Sequence, residues 1–236
     1  MQPMKKTSEH ISKHFDAVYS AKPDIKYSFD IRQMGPKDRQ IVRYLLDCGV
    51  TGKRYLDVGP GTGRWLTFFR ENKAGYLGAI DISEESLKRC AGLCDKTQRA
   101  DIGTDRFDFQ SDFFDIVTSF EVLEHLKDPG HYIQELLRVV KSGGIIMMST
   151  PNLTSFISRA RGLFGIPPVA VTSDPTHVRF YRRQDVIELF SEYKVRPFFI
   201  STSFSVNPFT PKSRLRIPPI GILASLSDTL LFTIRK

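Results

Sequence analysis

Short runs of apolar residues recur along the chain, and segments with helical spacing of apolar positions separate them. The runs have the length and composition of buried strands. The intervening segments place apolar residues three and four positions apart, which is typical of amphipathic helices. We predict strands over residues 54–58, 76–81, 98–100, 115–120, 145–150, 198–206 and 230–234.

This alternation of strands and helices predicts an α/β fold with a doubly wound sheet. We expect a Rossmann-like sheet of about seven strands. Most of them should be parallel, and the last one, residues 230–234, antiparallel. Ligands of such sheets bind at the carboxyl ends of the strands, so polar residues that follow the strands are the first candidates for a site.

The chain divides into an N-terminal helical segment, residues 1–36, and a larger domain, residues 37–236. Apolar residues fall at helical spacing in the first segment, so its helix either packs on the edge of the core or forms a lid over an active site. Residues 153–182 and 204–222 interrupt the regular alternation as insertions. Four prolines between residues 207 and 222 predict a loop there.

A glycine-rich turn follows the first predicted strand. Residues 57–63 read Asp-Val-Gly-Pro-Gly-Thr-Gly, with glycine at every second position after the first two. Strand, glycine turn and helix open nucleotide-binding α/β domains, in which N–H groups at the helix start face the ligand. A dinucleotide site requires glycine where this chain has Arg64, and a P-loop requires Gly-Lys-Ser/Thr. The turn fits neither of these sites.

The turn resembles motif I of the class I S-adenosylmethionine-dependent methyltransferases, and the resemblance extends over residues 40–200. Asp81, at the end of the second predicted strand, is similar to the acidic ribose ligand of that family. Residues 113–125 resemble the fourth-strand motif, and residues 136–152 resemble the region around the fifth strand. Residues 177–181 resemble a segment of ubiquinone-type and sugar-modifying members. The resemblance implies an enzyme with S-adenosylmethionine as its cofactor.

The resemblance also implies roles for residues around that cofactor. Asp81 is expected to form hydrogen bonds with the ribose hydroxyls. Asp57 is expected to hold the turn and to contact the methionine ammonium. Asp101 is expected to accept a hydrogen bond from the adenine amino group. From the residues alone, Asp81 could instead cap the following helix, and Asp57 could hold only the turn. The cofactor-binding residues implied in this way are Asp57, Gly59, Gly61, Gly63, Asp81, Ile82, Asp101, Ile102 and Phe120.

Methyl transfer is an in-line displacement, so catalysis depends on positioning, and a hydroxyl acceptor can also require a base. We predict His125, His177 and Glu124 as the catalytic residues, and Glu121 is a further candidate. Each has a structural alternative, because the histidines could hold loops and the glutamates could shape the pocket or cap a helix. No group of His, Asp and Glu has the sequence spacing of a metal site, so we predict no metal.

The net charge of +8 lies almost entirely in the last third of the chain. Residues 1–150 hold 22 Lys and Arg against 21 Asp and Glu, giving +1, whereas residues 151–236 hold 12 against 5, giving +7. Arginine favours carboxylate and phosphate groups, so we expect an acidic, phosphorylated, or lipid- or nucleotide-linked acceptor. The alternative is a solvated basic face. The arginines that crowd the first insertion are Arg159, Arg161, Arg179, Arg182 and Arg183.

The N-terminal helix and the two insertions are expected to form the acceptor pocket. Residues 217–224 are apolar beside basic residues, which indicates either peripheral membrane contact or a loop packed on the sheet. No apolar run has the length of a membrane span and the first residues lack a signal core, so we expect a cytoplasmic protein. The three cysteines are expected to be reduced thiols.

The favoured function is O-methylation of a small molecule with S-adenosylmethionine as donor. A nucleic-acid methyltransferase acting on RNA is one alternative, since the isoelectric point is about 9.4. We expect no nucleic-acid partner, because the sequence contains no evident binding module or motif of interleaved aromatic and basic residues. A non-catalytic domain that only binds the cofactor is the second alternative. The sequence does not indicate an oligomeric state.

Overall fold

In the computed structural model, which describes residues 2–21, 34–200, 202, 204–205, 216–217 and 225–236, seven strands form one sheet with helices on both faces. The helices are α1 (Gln2–Ser20), α2 (Pro36–Cys48), α3 (Arg64–Glu71), α4 (Glu84–Cys90), α5 (Gly130–Val139), α6 (Phe156–Leu163), α7 (Val169–Thr172) and α8 (Arg183–Ser191), with a 3-10 helix at Leu123–His125. The strands are β1 (Arg54–Val58), β2 (Tyr76–Asp81), β3 (Lys96–Arg99), β4 (Phe114–Phe120), β5 (Val140–Pro151), β6 (Phe198–Ile200), β7 (Phe204–Ser205), β8 (Arg216–Ile217) and β9 (Thr229–Arg235).

The strand order in the sheet is β3-β2-β1-β4-β5-β9-β6. The first five of these strands run parallel, and β9 lies antiparallel between β5 and β6. This confirms the predicted Rossmann-like sheet of about seven strands with an antiparallel last strand. Because β1 pairs with β2 on one side and β4 on the other, the strand order reverses at β1. The carboxyl ends of β1 and β4 are therefore the place where ligands of such sheets bind.

Several predicted strands differ from the observed ones in their limits, and β5 begins at Val140, five residues before the predicted start. The third strand begins at Lys96, two residues before the predicted start, because residues 96–99 pair with residues 78–81 of β2. The predicted strand over residues 198–206 is divided into β6, which joins the main sheet, and β7, which pairs with β8 in a separate two-stranded sheet. Most of the predicted loop after β7 lies outside the described residues, and so does most of the stretch predicted to touch a membrane.

The core consists of two apolar clusters, one on each face of the sheet. One cluster holds α5 and α8 against β4 and β5, and the other holds α2 and α3 against β1 and β2. In the second cluster the rings of Tyr55 and Phe69 stack at 3.5 Å between centroids, and neither ring is exposed to solvent. Burying a large apolar side chain contributes roughly 1.5–3 kcal/mol. These clusters hold the carboxyl ends of β1, β2 and β4 in fixed positions.

Helix α1 lies apart from these clusters and packs beside α4, near the carboxyl ends of the strands. The proposed division at residue 36 stays a prediction, as does the role of α1 as a lid. Within the described part of the chain, no helix combines the length and the apolar composition that crossing a bilayer requires.

Candidate active site

The glycine turn connects β1 to α3 through three residues with positive φ. Gly59, Gly61 and Gly63 have φ of 73°, 59° and 80°, a region that side chains other than glycine rarely adopt. A Cβ at Gly59 would lie 2.5 Å from Cγ2 of Val122. The backbone of the turn therefore lies directly against the segment that follows β4. Gly63 is the N-cap of α3, so the turn ends where unpaired helix N–H groups begin.

Asp57 is a buried acid at the end of β1, with only 1% of its surface exposed. Its Oδ1 accepts a hydrogen bond of 2.7 Å from the Thr118 hydroxyl, which also bonds the Tyr55 hydroxyl. Burial raises the pKa of Asp57 to about 7, although the Thr118 hydrogen bond opposes the shift. Oδ2 accepts no hydrogen bond from the described part of the chain. An orphaned, buried carboxylate oxygen is suited to a cationic ligand group, which fits the ammonium that the sequence predicts here.

Asp81 is the last residue of β2, and its carboxylate lies at the start of α4. Oδ1 accepts from the Ser83 N–H at 2.9 Å, and Oδ2 accepts from the Ser86 hydroxyl at 2.7 Å. Burial raises the pKa of Asp81, while hydrogen bonds from Ser83 and Ser86 lower it. Ser83 also caps α4, because its hydroxyl accepts from the Ser86 N–H. The start of α4 thus holds the Asp81 carboxylate in place. The same contacts also fit the alternative in which Asp81 only caps α4.

Helix α1 covers this side of the site with one face. The Ser12 hydroxyl donates to the carbonyl of Ile82 at 3.2 Å, and Asp16 Oδ1 accepts from the Ser83 hydroxyl at 2.6 Å. Asp16 also accepts from the N–H of Glu85 at 3.3 Å, so it adds a second cap to α4. These contacts place α1 directly over the predicted adenosine edge of the site.

Two further residues of the same helix face touch predicted cofactor residues. The Ser8 hydroxyl donates to Asp101, whose other carboxylate oxygen accepts from the Gly103 N–H at 3.0 Å. The Tyr19 hydroxyl lies over the glycine turn, where a Cβ at Gly61 would be 3.1 Å from it. Sequence reasoning did not identify these α1 residues, because helical spacing predicts the helix but not the surface on which it packs.

The remaining cofactor residues lie at the ends of their strands as the sequence predicts. Phe120 ends β4 partly buried, and its ring lies 5.2 Å from the ring of Trp65. Ile82 follows β2 and is partly buried, and Ile102 packs against the cluster that holds α5. The roles of these three residues at the cofactor stay predictions.

The fold brings the predicted catalytic residues Glu124, His125 and His177 together. Glu124 is 1% exposed, and its Oε2 accepts from the Thr150 hydroxyl at 3.0 Å. Its Oε1 accepts no hydrogen bond from the described residues and lies 3.8 Å from Nε2 of His177. Burial, followed by the charge of Glu121, raises the pKa of Glu124 well above its usual range. Burial and the charge of Glu121 therefore both favour the protonated form of Glu124.

The two histidine rings lie 4.9 Å apart between centroids. His125 Nδ1 donates to the Thr176 carbonyl at 3.2 Å, and His177 Nδ1 donates to the Ala170 carbonyl at 2.7 Å. In the neutral rings this leaves Nε2 of each as the acceptor nitrogen. Burial, followed by the neighbouring His177, lowers the pKa of His125, so His125 is neutral at neutral pH.

These three residues also form a set of ligand atoms that the sequence did not indicate. One ligand atom each from Glu124, His125 and His177 lies within 4.8 Å of the other two. A carboxylate and two imidazoles suit several divalent cations. Sequence spacing did not show this group because His177 comes from the insertion after β5, and the absence of a metal stays a prediction.

Glu121, which we treated only as a further candidate, occupies a distinctive position. It follows β4 with a φ of 56°, and its Oε1 accepts from Lys37 Nζ at 3.0 Å and from the Ser149 hydroxyl at 2.6 Å. Burial opposes ionisation, but the Lys37 ammonium and the Ser149 hydroxyl hold the pKa of Glu121 below its usual range. The ionised form is therefore favoured at Glu121, whereas the protonated form is favoured at Glu124.

A cavity of about 230 Å³ opens beside Glu121, and we name it the serine cavity. It lies where β5, α6, α7 and the start of β9 meet, so part of its wall comes from the insertion 153–182. Glu124, His125 and His177 are not among the residues that line it. Polar side chains on its wall include Glu121, Ser155, Ser158, Ser173 and Asp228, and aliphatic ones include Ile157, Val169 and Ala170.

The arginines of the insertion make contacts away from the serine cavity. Arg159 and Arg161 each donate from Nε to a backbone carbonyl of their own segment, at 2.9 and 2.8 Å. Arg182 pairs with a carboxylate of α8, and Arg183 lies over an aromatic ring at 4.5 Å from its centroid. Arg179 lines a separate open cavity of about 390 Å³ beside α8. None of these five side chains is among the residues that line the serine cavity.

A Rossmann-like sheet with a non-dinucleotide glycine turn, a buried acid beneath it and an acid ending β2 defines the class I S-adenosylmethionine-dependent methyltransferases. The sequence profile of the methyltransferase domain family matches residues 31–194. The chain belongs to this family, and it is an S-adenosylmethionine-dependent methyltransferase.

Named relatives agree with this assignment. The chain is 28% identical over 179 residues to a ubiquinone biosynthesis O-methyltransferase of Vibrio cholerae, covering 71% of this chain and 70% of that protein. It is 36% identical over 110 residues to a ubiquinone biosynthesis O-methyltransferase of Idiomarina loihiensis, covering 44% of each.

Solved structures share the fold at low sequence identity. An S-adenosylmethionine-dependent methyltransferase from Mesorhizobium loti has a TM-score of 0.63 at 17% identity, covering 88% of this chain and 100% of that one. Magnesium protoporphyrin IX methyltransferase from Synechocystis, solved with bound S-adenosylhomocysteine, has a TM-score of 0.58 at 12% identity, covering 98% and 100%.

Proposed function

We propose that this enzyme transfers the methyl group of S-adenosylmethionine to a hydroxyl oxygen of a small molecule bound in the serine cavity. The observation that carries the proposal is the position of the Glu121 carboxylate, which lines that cavity directly after β4 and whose pKa Lys37 and Ser149 hold below its usual range. Glu121 follows Phe120 directly, so it lies at the switch point of the sheet, beside the glycine turn.

Glu121 suits a hydroxyl acceptor because of its bonding. Oε1 is occupied by Lys37 and Ser149, while Oε2 has no hydrogen bond assigned among the described residues. Oε2 can therefore accept the proton of a hydroxyl and orient its oxygen toward the methyl group. As the new O–CH₃ bond forms, the oxygen becomes positive and its proton becomes strongly acidic. Even a carboxylate of low pKa can then take that proton.

Glu124, His125 and His177 lie outside the lining of the cavity. Neighbouring carboxyl groups whose pKa values are pushed apart commonly divide the roles of acid and base. The pKa of Glu121 is lowered and that of Glu124 is raised, so we propose Glu121 as the base and Glu124 as the carboxyl group that holds a proton. The names of the Vibrio and Idiomarina relatives support oxygen as the atom that is methylated.

The structure supports a hydroxyl group on the acceptor better than it supports the predicted negative charge of the acceptor. The five arginines on which that prediction rested contact backbone, a carboxylate or a ring, outside the serine cavity. An anionic group of a larger acceptor would have to extend out of the cavity to meet them.

The substitution Glu121→Gln tests the proposal, because it removes the charge and keeps the shape. We expect the rate of methyl transfer to fall about 10²–10⁴-fold, the usual contribution of a positioned base. The affinity for S-adenosylhomocysteine, measured by calorimetry, should change less than twofold. Glu188→Gln on the exposed face of α8 is the matched control. Wild-type turnover in the Glu121→Gln variant would remove Glu121 from the reaction.

A further inference from the structure

The lining of the serine cavity indicates which chemical class of hydroxyl compound it receives. Its polar wall offers hydrogen-bond acceptors from two carboxylates, Glu121 and Asp228, and hydroxyl groups from Ser155, Ser158 and Ser173. Its aliphatic wall is formed by α6 and α7. A wall that combines several hydrogen-bonding groups with an aliphatic patch matches a saturated ring that carries several hydroxyls.

The Ser155 and Ser158 hydroxyls on the cavity wall form a hydrogen bond with each other and retain capacity to bond a ligand. Ser155 donates to the Ser158 hydroxyl at 2.9 Å and accepts from the Ser158 N–H at 3.2 Å. Ser158 therefore keeps its own hydroxyl proton for another acceptor. Both serines are buried and line the cavity. A wall that holds serine hydroxyls and the Glu121 carboxylate suits a ligand with both donor and acceptor capacity, which a hydroxyl group provides.

Two other acceptor classes fit this lining less well. A phenolic ring is usually held by aromatic side chains, and none lines the cavity among the described residues. A phosphate or carboxylate requires Lys or Arg, and the described lining contains neither. Lys37, the nearby cation, is already paired with Glu121 at 3.0 Å. The described lining therefore offers no cation that could pair with an anionic acceptor.

The size of the cavity limits the acceptor to one ring. A volume of about 230 Å³ corresponds to roughly eight water molecules at about 30 Å³ each. It lies below the range of about 300–1,000 Å³ that is usual for drug-sized ligands. The cavity therefore holds one small molecule, or the terminal ring of a larger one.

We infer that the acceptor is an uncharged polyhydroxylated ring, such as a neutral sugar unit, and that methylation occurs on one of its hydroxyls. The inference rests on the proposed function, because it takes the serine cavity as the acceptor site. Glu121 Oε2 holds the reacting hydroxyl, and Asp228 and Ser158 hold neighbouring ones. In the reaction the C–S bond of the donor breaks, the O–CH₃ bond forms and the hydroxyl proton passes to Glu121. S-adenosylhomocysteine leaves as the neutral thioether.

The test compares matched acceptors with labelled S-adenosylmethionine. The probes are a methyl hexopyranoside, the uronic acid and 6-phosphate that correspond to it, and catechol as the phenol. We expect kcat/KM to be highest for the neutral glycoside, by about tenfold or more over each charged form, which corresponds to about 1.4 kcal/mol. Preference for the uronate, the phosphate or catechol overturns the inference, and so does methylation of an amine in a hexosamine probe.

A pair of variants on α7 and its end makes the test specific for the cavity. Ser173 lines the cavity at an exposed position, and the neighbouring Thr172 is exposed but does not line it. Ser173→Arg places a guanidinium group at the wall of the cavity, so it should raise the uronate-to-glycoside ratio about tenfold. Thr172→Arg should leave the ratio unchanged. Equal ratios in both variants would contradict the inference.

Cofactor binding and the Glu121→Gln variant together distinguish failure of the proposed function from failure of the inferred acceptor class. If S-adenosylhomocysteine binds and Glu121→Gln abolishes transfer to some other acceptor class, the proposed function stands and the polyol inference is wrong. If S-adenosylhomocysteine binds but no probe is methylated, the polyol inference is also wrong. If Glu121→Gln retains full activity on the glycoside, the proposed function fails while the acceptor class remains correct.

Discussion

Asp57 carries the pH dependence of the cofactor site at the scale of single residues. Its pKa of about 7 arises because burial disfavours its charge. The predicted contact with the ammonium of the cofactor would favour the ionised form. Below neutral pH, binding must therefore expel a proton from Asp57, and this cost disappears as the pH rises.

We predict that the affinity for S-adenosylhomocysteine rises up to tenfold per pH unit from about pH 5.5 to 7 and is constant above pH 7. Calorimetry across this range measures it. Asp57→Asn should weaken binding and remove the pH dependence. Thr118→Val removes the hydrogen bond that stabilises the ionised form, so it should move the midpoint to higher pH. A pH-independent affinity in the wild type would refute the contact with the ammonium.

Rising pH has the opposite effect on the contribution of Asp57 to folding stability. The folded protein holds the Asp57 proton between about pH 4 and 7, whereas the unfolded chain has released it. The contribution of Asp57 to the free energy of unfolding is therefore fully present below about pH 4 and is lost as the pH rises toward 7. Urea titrations at pH 5 and 7 should show a smaller loss of stability with rising pH in Asp57→Asn than in the wild type. An equal loss in both proteins would contradict the shifted pKa.

Asp81→Ala tests the ribose assignment. Hydrogen bonds to a charged group are worth about 1.5–3 kcal/mol each, so loss of the carboxylate should weaken S-adenosylhomocysteine binding at least tenfold. Asp112→Ala, at an exposed loop that bonds Lys236, is the control. If Asp81→Ala binds as the wild type does, Asp81 acts only as a cap of α4.

At the scale of elements, a chain of hydrogen bonds joins the helix α1 to the cofactor site. Asp16 accepts from the Ser83 hydroxyl, Ser83 accepts from the Ser86 N–H, and the Ser86 hydroxyl donates to Asp81. Docking of α1 and the position of Asp81 therefore depend on the same start of α4. This connection gives the predicted lid a means of acting on cofactor affinity.

We predict that Asp16→Asn weakens S-adenosylhomocysteine binding about threefold to tenfold, since loss of a helix cap costs about 1 kcal/mol. Amide hydrogen exchange in α1 should become faster. Lys13→Ala is the matched control, because Lys13 lies on the exposed face of the same helix in an ion pair with Glu9. If Asp16→Asn and Lys13→Ala bind alike, α1 is only packing on the edge of the core.

Local sequence signals were sufficient for the sheet and for the strand-end positions of most of the predicted cofactor residues. The glycine turn and Asp81 each follow a buried strand directly, so their positions depend on a few neighbouring residues. Glu121 was not chosen because its role depends on Lys37, 84 positions away, and on Ser149, 28 positions away. The arginine-based prediction of an anionic acceptor had the same weakness, since charge counts do not show where a guanidinium group is bonded.

At the scale of the whole molecule, one region of the surface combines basic residues with an exposed apolar tip at the end of α6. Leu163 and Phe164, at the end of α6, are 86% and 62% exposed and lie close in sequence to Arg159 and Arg161. The sequence prediction of peripheral membrane contact concerned residues 217–224, and we propose this tip as a further point of contact with an anionic membrane.

We predict that the protein sediments with vesicles containing phosphatidylglycerol and that added salt releases it. Phe164→Glu should abolish this binding. Phe198→Glu, at a residue that is 66% exposed on the edge strand β6, should not. Equal binding by both variants would mean that the net charge alone attracts the protein.

The central claim is that this enzyme methylates a hydroxyl oxygen held by Glu121, and one measurement tests it most directly. S-adenosylmethionine carrying a ¹³C-labelled methyl group is incubated with the enzyme and a metabolite extract, in parallel with RNA, and the products are examined by NMR. We predict an O–¹³CH₃ resonance on a small molecule, which Glu121→Gln abolishes and Glu188→Gln retains. A label on nitrogen, on carbon or on RNA would contradict the account.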